Sequence, residues 1–363
     1  MDGHMITPAG CRARQQRLLE LMELHRWDLF VTANYRTVYY LSGILGGAEI
    51  PCALMLDATG RCTVISGARP VDHAADELVR LETYSIARCI DDPAGDAAEL
   101  LHESLPDNTA SLRCGVEALP SRMSFRAAAV EDATLTILAL RKKKHADEIA
   151  AIRESLRLCA VAYDAAKAVI QPGLTEIDVH NAMSAAVNRA AGTAVTLAGD
   201  FACGLRSVRE GGPPTLRKLE HGDLYVLDIF PAPALYFGDV CRTFAIGGEP
   251  TDEQLRAAEL VGSTLRAAEQ LVRPGVYARD VYGFVKERLG ESFWHHAGHG
   301  IGHHGHERPR LIPGSIEVFE EGDVFTIEPG VYLDALQGGL RLEDNYVVHA
   351  DGVENLFDYP LDL

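Results

Sequence analysis

Five side chains able to bind divalent metal ions stand in the last part of the chain: Asp228 and Asp239, then His299, then Glu328 and Glu343. They lie in the strings VLDIF, FGDVCRTF, HHAGHGIG, FTIEPGVY and LRLEDNYVV. Four carboxylates and one imidazole carry too many oxygens for a structural zinc site, which closes a tetrahedron of Cys and His. The set suits two adjacent divalent ions that share bridging carboxylates and an activated water. Each residue alone has an ordinary reading, a turn aspartate or a strand-edge glutamate. Together, in this order, they read as the centre of a two-metal hydrolase.

The elements around them must bring them into one place. Asp228 ends the strand-like LYVLDIF and Asp239 opens the strand-like DVCRTFAI, with the turn-rich PAPALYFG between them. Adjacent antiparallel strands put the two carboxylates close together, where burial costs several kcal/mol unless a cation neutralises them. His299 is flanked by Gly298, Gly300 and Gly302, and glycine permits the close backbone approach that a crowded metal cavity needs. The same stretch holds His295, His296, His303, His304 and His306. Of these, His306 is assigned to the substrate side, with His295 a second substrate-side candidate. Glu328 sits at a strand-to-turn transition. Glu343 lies in a run where Leu340, Leu342 and Val347 support strand alternation.

An internal echo organises this part of the chain. QPGLTEIDVHNAMSAAVN (171–188) parallels RPGVYARDVYGFVKERLG (273–290): Pro-Gly, then Asp-Val, then an amphipathic helix. A long helical segment precedes each copy, 145–170 and 252–272, and Thr251 with Gln254 forms a capping box for the second. Two copies of one α–turn–α unit predict a duplicated half-domain with its site between the halves.

At 363 residues the chain exceeds one typical core and predicts two domains. Lys and Arg total 34 against 52 Asp and Glu, a formal charge of −18, which argues against a nucleic-acid or anionic-membrane partner. The run Lys142 to Lys144 reads as a solvated domain junction. No apolar stretch reaches membrane-spanning length and no signal-like pattern opens the chain, so a cytoplasmic protein is expected. Eight cysteines without CxxC spacing read as buried free thiols. The first part alternates: a helix over 12–25, strand-like DLFVTA, then CALMLD and CTVIS as a hairpin around Ala58-Thr59-Gly60. VDHAADELVR and SRMSFRAAAV read as helices, SLRCGVEA and TLTILA as strands. This predicts a small α/β layer domain with a packing or substrate-covering role.

The string series resembles the pita-bread-fold metallopeptidases, the family of Xaa-Pro dipeptidase (prolidase), aminopeptidase P and methionine aminopeptidase. RQQRLLELMELHRWDLFVTANYRTVYYLSG is similar to the amino-terminal domain of the prolidase and creatinase branch, and RKKKHADEIAAIRESL to its linker. The resemblance implies an α+β architecture: a creatinase-like α/β domain over 6–140, then a pita-bread catalytic domain over 145–363. It implies two divalent ions, manganese first, with cobalt, zinc and iron also compatible with the ligand set. Asp228 matches a ligand of one ion, Asp239 and Glu343 match bridging ligands, and His299 and Glu328 match ligands of the second. Glu328 further matches the proton shuttle for a metal-bridging hydroxide. His306 matches a histidine near the scissile bond, and Arg341 an arginine that orients a carboxylate or ligand. The implied reaction is hydrolysis of the bond preceding proline in Xaa-Pro dipeptides or short peptides, by a homodimer.

Two departures stand out. The family usually carries a further histidine some 17 residues before the first aspartate, and that count lands on Gly211. A histidine placed there is expected to raise turnover if it restores the lost proton handling. The glycine common two residues after the first aspartate is here Phe230. These departures keep two other readings open: a metal-dependent hydrolase of a non-peptide C–N bond, as in creatinase, and a metal-binding member without turnover.

Overall fold

The strand Leu29–Thr32 (LFVT) is buried at every position, as a strand inside a sheet covered on both faces must be. The computed structural model describes residues 6–46, 51–68, 70, 72–82, 84–85, 88–89, 93–119, 126–209 and 211–363. The chain divides into two compact units, residues 2–141 and 142–363. In the first unit six strands pair in the order Glu77–Arg80, Cys62–Ser66, Cys52–Asp57, Leu29–Thr32, Arg113–Glu117, Ala129–Asp132. Alternation then sorts the central strand. Phe30 joins Leu18, Met22, Trp27 and Ile137 on one face, while Leu29 and Val31 join Met55, Ile65 and Leu101 on the other. The expected 12–25 helix is Pro8–His25; the Thr7 hydroxyl accepts from Gly10 N–H at 3.0 Å and Pro8 opens its first turn.

Three short segments of this unit differ from expectation. Glu77–Arg80, read within a helix, is a strand parallel to Cys62–Ser66, because that sheet edge pairs with it. Thr134–Lys142, whose Thr/Leu alternation imitates a strand, is a helix. Thr134 N–H donates to Asp132 Oδ1 at 2.9 Å at its start, and Ile137, Leu140 and Arg141 are buried along one face. Within 121–130, read as a helix, Ala129 and Val130 begin a strand, and 121–125 lie outside the described residues.

In the second unit the duplication is visible bond by bond. Helices Ala146–Val169 and Glu176–Ala191 in one half answer to Asp252–Glu269 and Ala278–Leu289 in the other. Gly173 (φ 95°) and Gly275 (φ 93°) make the turns between them; their N–H groups donate to Leu219 O and Phe319 O at 2.9 and 3.0 Å. Thr175 bridges to Lys218, and Tyr277 to Val318. Asp223 and Asp323 each accept from the N–H three residues earlier, at 3.0 and 2.9 Å, and launch the strands Leu224–Ile229 and Val324–Ile327. Asp239 and Glu343 immediately precede Val240–Ala245 and Asp344–His349. Thus Asp228 answers to Glu328, and Asp239 to Glu343. Thr251 and Gln254 form the expected capping box.

The first half builds a three-stranded antiparallel sheet, Val240–Ala245, Leu224–Ile229, Gly199–Cys203. The second builds a five-stranded one, Glu307–Arg310, His299–Gly300, Val324–Ile327, Asp344–His349, Gly352–Asn355. A ribbon of Gly330–Leu333 and Gly338–Arg341 accompanies them. Helices pack Val261, Leu265, Val281 and Val285 onto Phe325, Leu340 and Tyr346. The lysine run stands at the boundary of the two units, as expected, but only Lys143 is solvated. Lys144 is buried 3.0 Å from Glu307, and Lys142 lies 3.2 Å from the buried Asp323. Among the described cysteines, Cys11, Cys52, Cys62, Cys114, Cys159, Cys203 and Cys241 are free and buried. No helix among the described residues is long and apolar enough to cross a membrane.

Candidate metal centre

Asp228 lies on the middle strand of the three-stranded sheet, opposite Cys241, and Asp239 stands just before the neighbouring strand. Tyr163 spans the two strands from behind, its hydroxyl 2.7 Å from Val240 O and 3.1 Å from Leu227 O. Asn345 exchanges hydrogen bonds with the backbone of Asp239, and Glu343 N–H donates to Cys241 O at 3.1 Å. The second half is therefore laced to the first beside the aspartates. His299 enters from a two-residue strand squeezed between backbones. A Cβ on Gly298 would meet Thr326 O at 2.0 Å, and one on Gly300 would meet Arg308 O at 1.9 Å. Glycine is required at both positions.

The five expected donors come together. Asp228, Asp239, His299, Glu328 and Glu343 are each at most 8% exposed. Ligand atoms of Asp239, His299 and Glu343 lie within 4.8 Å of one another. His299 Nε2 is 3.8 Å from Asp239 Oδ2 and 3.5 Å from Glu328 Oε1. Its Nδ1–H donates to Gly300 O at 3.0 Å, which leaves Nε2 free to bind a metal.

The electrostatics call for a cation. Burial pushes the Asp239 and Glu343 carboxyls well above the usual range, and Asp228 up to about 7 even though Arg341 pulls it down. Glu328 departs the other way: burial raises it, but the hydrogen bond and charge of His296, itself raised by Glu328, outweigh that and hold it low. Burial pushes His299 and His295 down to about 4, keeping both imidazoles neutral. Asp228 Oδ1 and both Glu343 carboxylate oxygens are buried without a hydrogen-bond partner. Buried oxygens left bare are costly, and divalent ions on these donors satisfy them. The residues fit metal.

Around the donors, Arg341 reaches Asp228 Oδ2 and Asp200 Oδ2, both at 2.8 Å. His306 is exposed, its ring tilted at 59° to that of His299 with centroids 4.0 Å apart, while His295 accepts from the Tyr332 hydroxyl at 2.8 Å and lies 3.8 Å from Glu328. His303 turns away to bond Leu235 O and pack on Tyr236. Sequence reasoning missed Asp200, Tyr332 and His296. Tyr332 follows Glu328 by four residues and was open to notice; Asp200 carries no motif. Asp200 fills the corner beside Gly211: Gly212 N–H donates to Asp200 Oδ1, and a Cβ on Gly211 would meet that carboxylate at 2.6 Å. Asp200, Ser207, Gly211, Trp294, Tyr332 and Arg341 line a small pocket there.

The sequence pattern of metallopeptidase family M24 matches residues 150–350. Uncharacterized peptidase YqhT of Bacillus subtilis is 28% identical over 246 residues, 65% of this chain and 69% of that protein. The Xaa-Pro dipeptidase of Pyrococcus furiosus is 34% identical over 161 residues, 43% of this chain and 46% of that enzyme. The structure of Xaa-Pro dipeptidase from Bacillus anthracis superposes with a TM-score of 0.80 at 23% identity, covering 97% of this chain and 99% of that one. The chain belongs to metallopeptidase family M24 and has its pita-bread fold. Membership makes it a metallopeptidase whose chemistry uses divalent metal ions and peptide substrates.

Proposed function

We propose that this protein hydrolyses the peptide bond preceding proline in Xaa-Pro dipeptides or short peptides. Two divalent ions would be held by Asp228, Asp239, His299, Glu328 and Glu343 within a catalytic domain over 145–363. The observation that carries the reading is the cluster of buried carboxylate oxygens without partners around His299 Nε2. When bound, the ions supply an activated water and polarise the scissile carbonyl. Four carboxylates favour manganese among the candidate metals.

The chain's own residues then divide the work. Glu328, held ionised by the surrounding histidines, takes the proton of the attacking water and returns it to the leaving nitrogen. His306, exposed beside His299, contacts substrate near the scissile bond. His295 is positioned by Tyr332 on the substrate side. Arg341 orients Asp228. The creatinase-like domain over 6–140 serves a packing or covering role, and the assembly is a cytoplasmic homodimer, which light scattering and cell fractionation test.

The direct test uses metal-stripped protein reconstituted separately with Mn, Co and Zn, and a panel of Xaa-Pro dipeptides and Xaa-Pro-Xaa tripeptides. Metal-dependent release of the first amino acid is expected. Silence across the panel with metal bound overturns the reading. It would favour a non-peptide C–N substrate, which the Asp200 carboxylate in place of a histidine beside Gly211 makes the second reading.

A further inference from the structure

His296 lies outside the five-donor set, yet its geometry is that of a ligand. Its Nδ1 is buried and stands 2.9 Å from Glu328 Oε1, and donor atoms of His295, His296 and Glu328 lie within 4.8 Å of one another. Glu328 Oε1 belongs to a 4%-exposed side chain and also lies 3.5 Å from His299 Nε2. Bonds of about 2.0–2.1 Å to one tetrahedral ion place neighbouring donors roughly 3.3 Å apart. The two observed separations bracket that distance. His295 differs: its Nδ1 donates to His296 O at 2.7 Å, and its Nε2 is taken by Tyr332. His296, partly exposed, also meets the rings of His299 and His306 edge-on at 5.4 and 5.3 Å.

We infer that His296 is a sixth metal ligand, supplying a second imidazole at the Glu328 end of the centre. The inference rests on the two-ion reading above. Imidazole nitrogen favours zinc and the other late divalent ions over manganese, so this end of the centre selects a more borderline metal than the five donors alone would.

The test is isothermal titration of Zn²⁺ and of Mn²⁺, separately, into metal-stripped wild type, His296→Ala and Glu343→Ala, with visible absorption of the Co²⁺-loaded proteins as a second readout. His296→Phe, which keeps the ring contacts and removes the nitrogen, serves as the second variant. Both His296 variants are expected to bind zinc at least about tenfold more weakly, with a smaller change for manganese and an altered Co²⁺ spectrum. Unchanged zinc affinity and an unchanged spectrum in both, with Glu343→Ala impaired, overturn the ligand role and leave the two-ion reading standing. Wild type that binds neither metal, or Glu343→Ala that binds like wild type, overturns the two-ion reading itself.

Discussion

Glu328 differs from its three fellow carboxylates: they are pushed toward neutrality by burial, whereas it is held low by the histidines around it. The contrast leaves Glu328 ionised, as the proton acceptor proposed above must be. Glu328→Gln should lower kcat by about 10²–10⁴-fold. The melting temperature of the metal-free protein should stay near that of wild type; steady-state kinetics beside thermal denaturation check both. Gly211 supports a different expectation from the one its place in the sequence invited. Since the Asp200 carboxylate occupies the space of a Cβ there, Gly211→Ala or Gly211→His should displace Asp200 and disturb Arg341. Turnover on Xaa-Pro substrates should fall, by roughly 10–100-fold, and a rise would restore the original view. The five donors were legible because residue type, order and local string agreed. Asp200 and His296 were not. The value of Asp200 depends on a side chain that Gly211 lacks, and His296 is one of six histidines between 295 and 306 that type alone cannot rank.

Elements were legible where local chemistry and long-range packing agree. The Thr251 capping box, the Pro-Gly turns and the strands around Asp228 and Asp239 each announce themselves within a few residues. The misread segments are short pieces decided by their neighbours: a sheet edge recruited Glu77–Arg80, and a buried face recruited Thr134–Lys142. The strand carrying His299 is the element most exposed to small changes, since the two glycines around it hold backbones in contact. Gly300→Ala should cost about 1–3 kcal/mol or more in urea unfolding of the metal-free protein. It should also weaken metal binding in titration calorimetry. A silent substitution would mean that this close approach is not structurally required.

At the scale of the molecule, the second unit is one motif used twice, with aspartates from the first copy facing glutamates from the second. The echo of Pro-Gly and Asp-Val revealed the duplication in the sequence. The pairing of Asp228 with Glu328 and Asp239 with Glu343 could be read only once both strand pairs were in hand, because the two copies differ in residue type at these positions. Metal held as proposed, by donors from both halves, would couple their stabilities. Removing it with a chelator should lower the melting temperature, and restoring it at one hundred times its Kd should return about 2.7 kcal/mol. Asp239→Asn should erase that increment without lowering the melting temperature of the metal-free form, because burial already disfavours the charge it removes. Differential scanning calorimetry separates the two outcomes.

The buried pairing of Lys144 with Glu307 bears on how the second unit can be excised. A fragment cut at residue 145 discards this lysine and also Lys142, the partner of Asp323. It would take these counter-charges from two buried carboxylates of the remaining chain, Glu307 and Asp323. Losing one partner of a buried pair costs about 3–5 kcal/mol. A fragment begun at Lys142 keeps both counter-charges, and should express and refold where one begun three residues later aggregates.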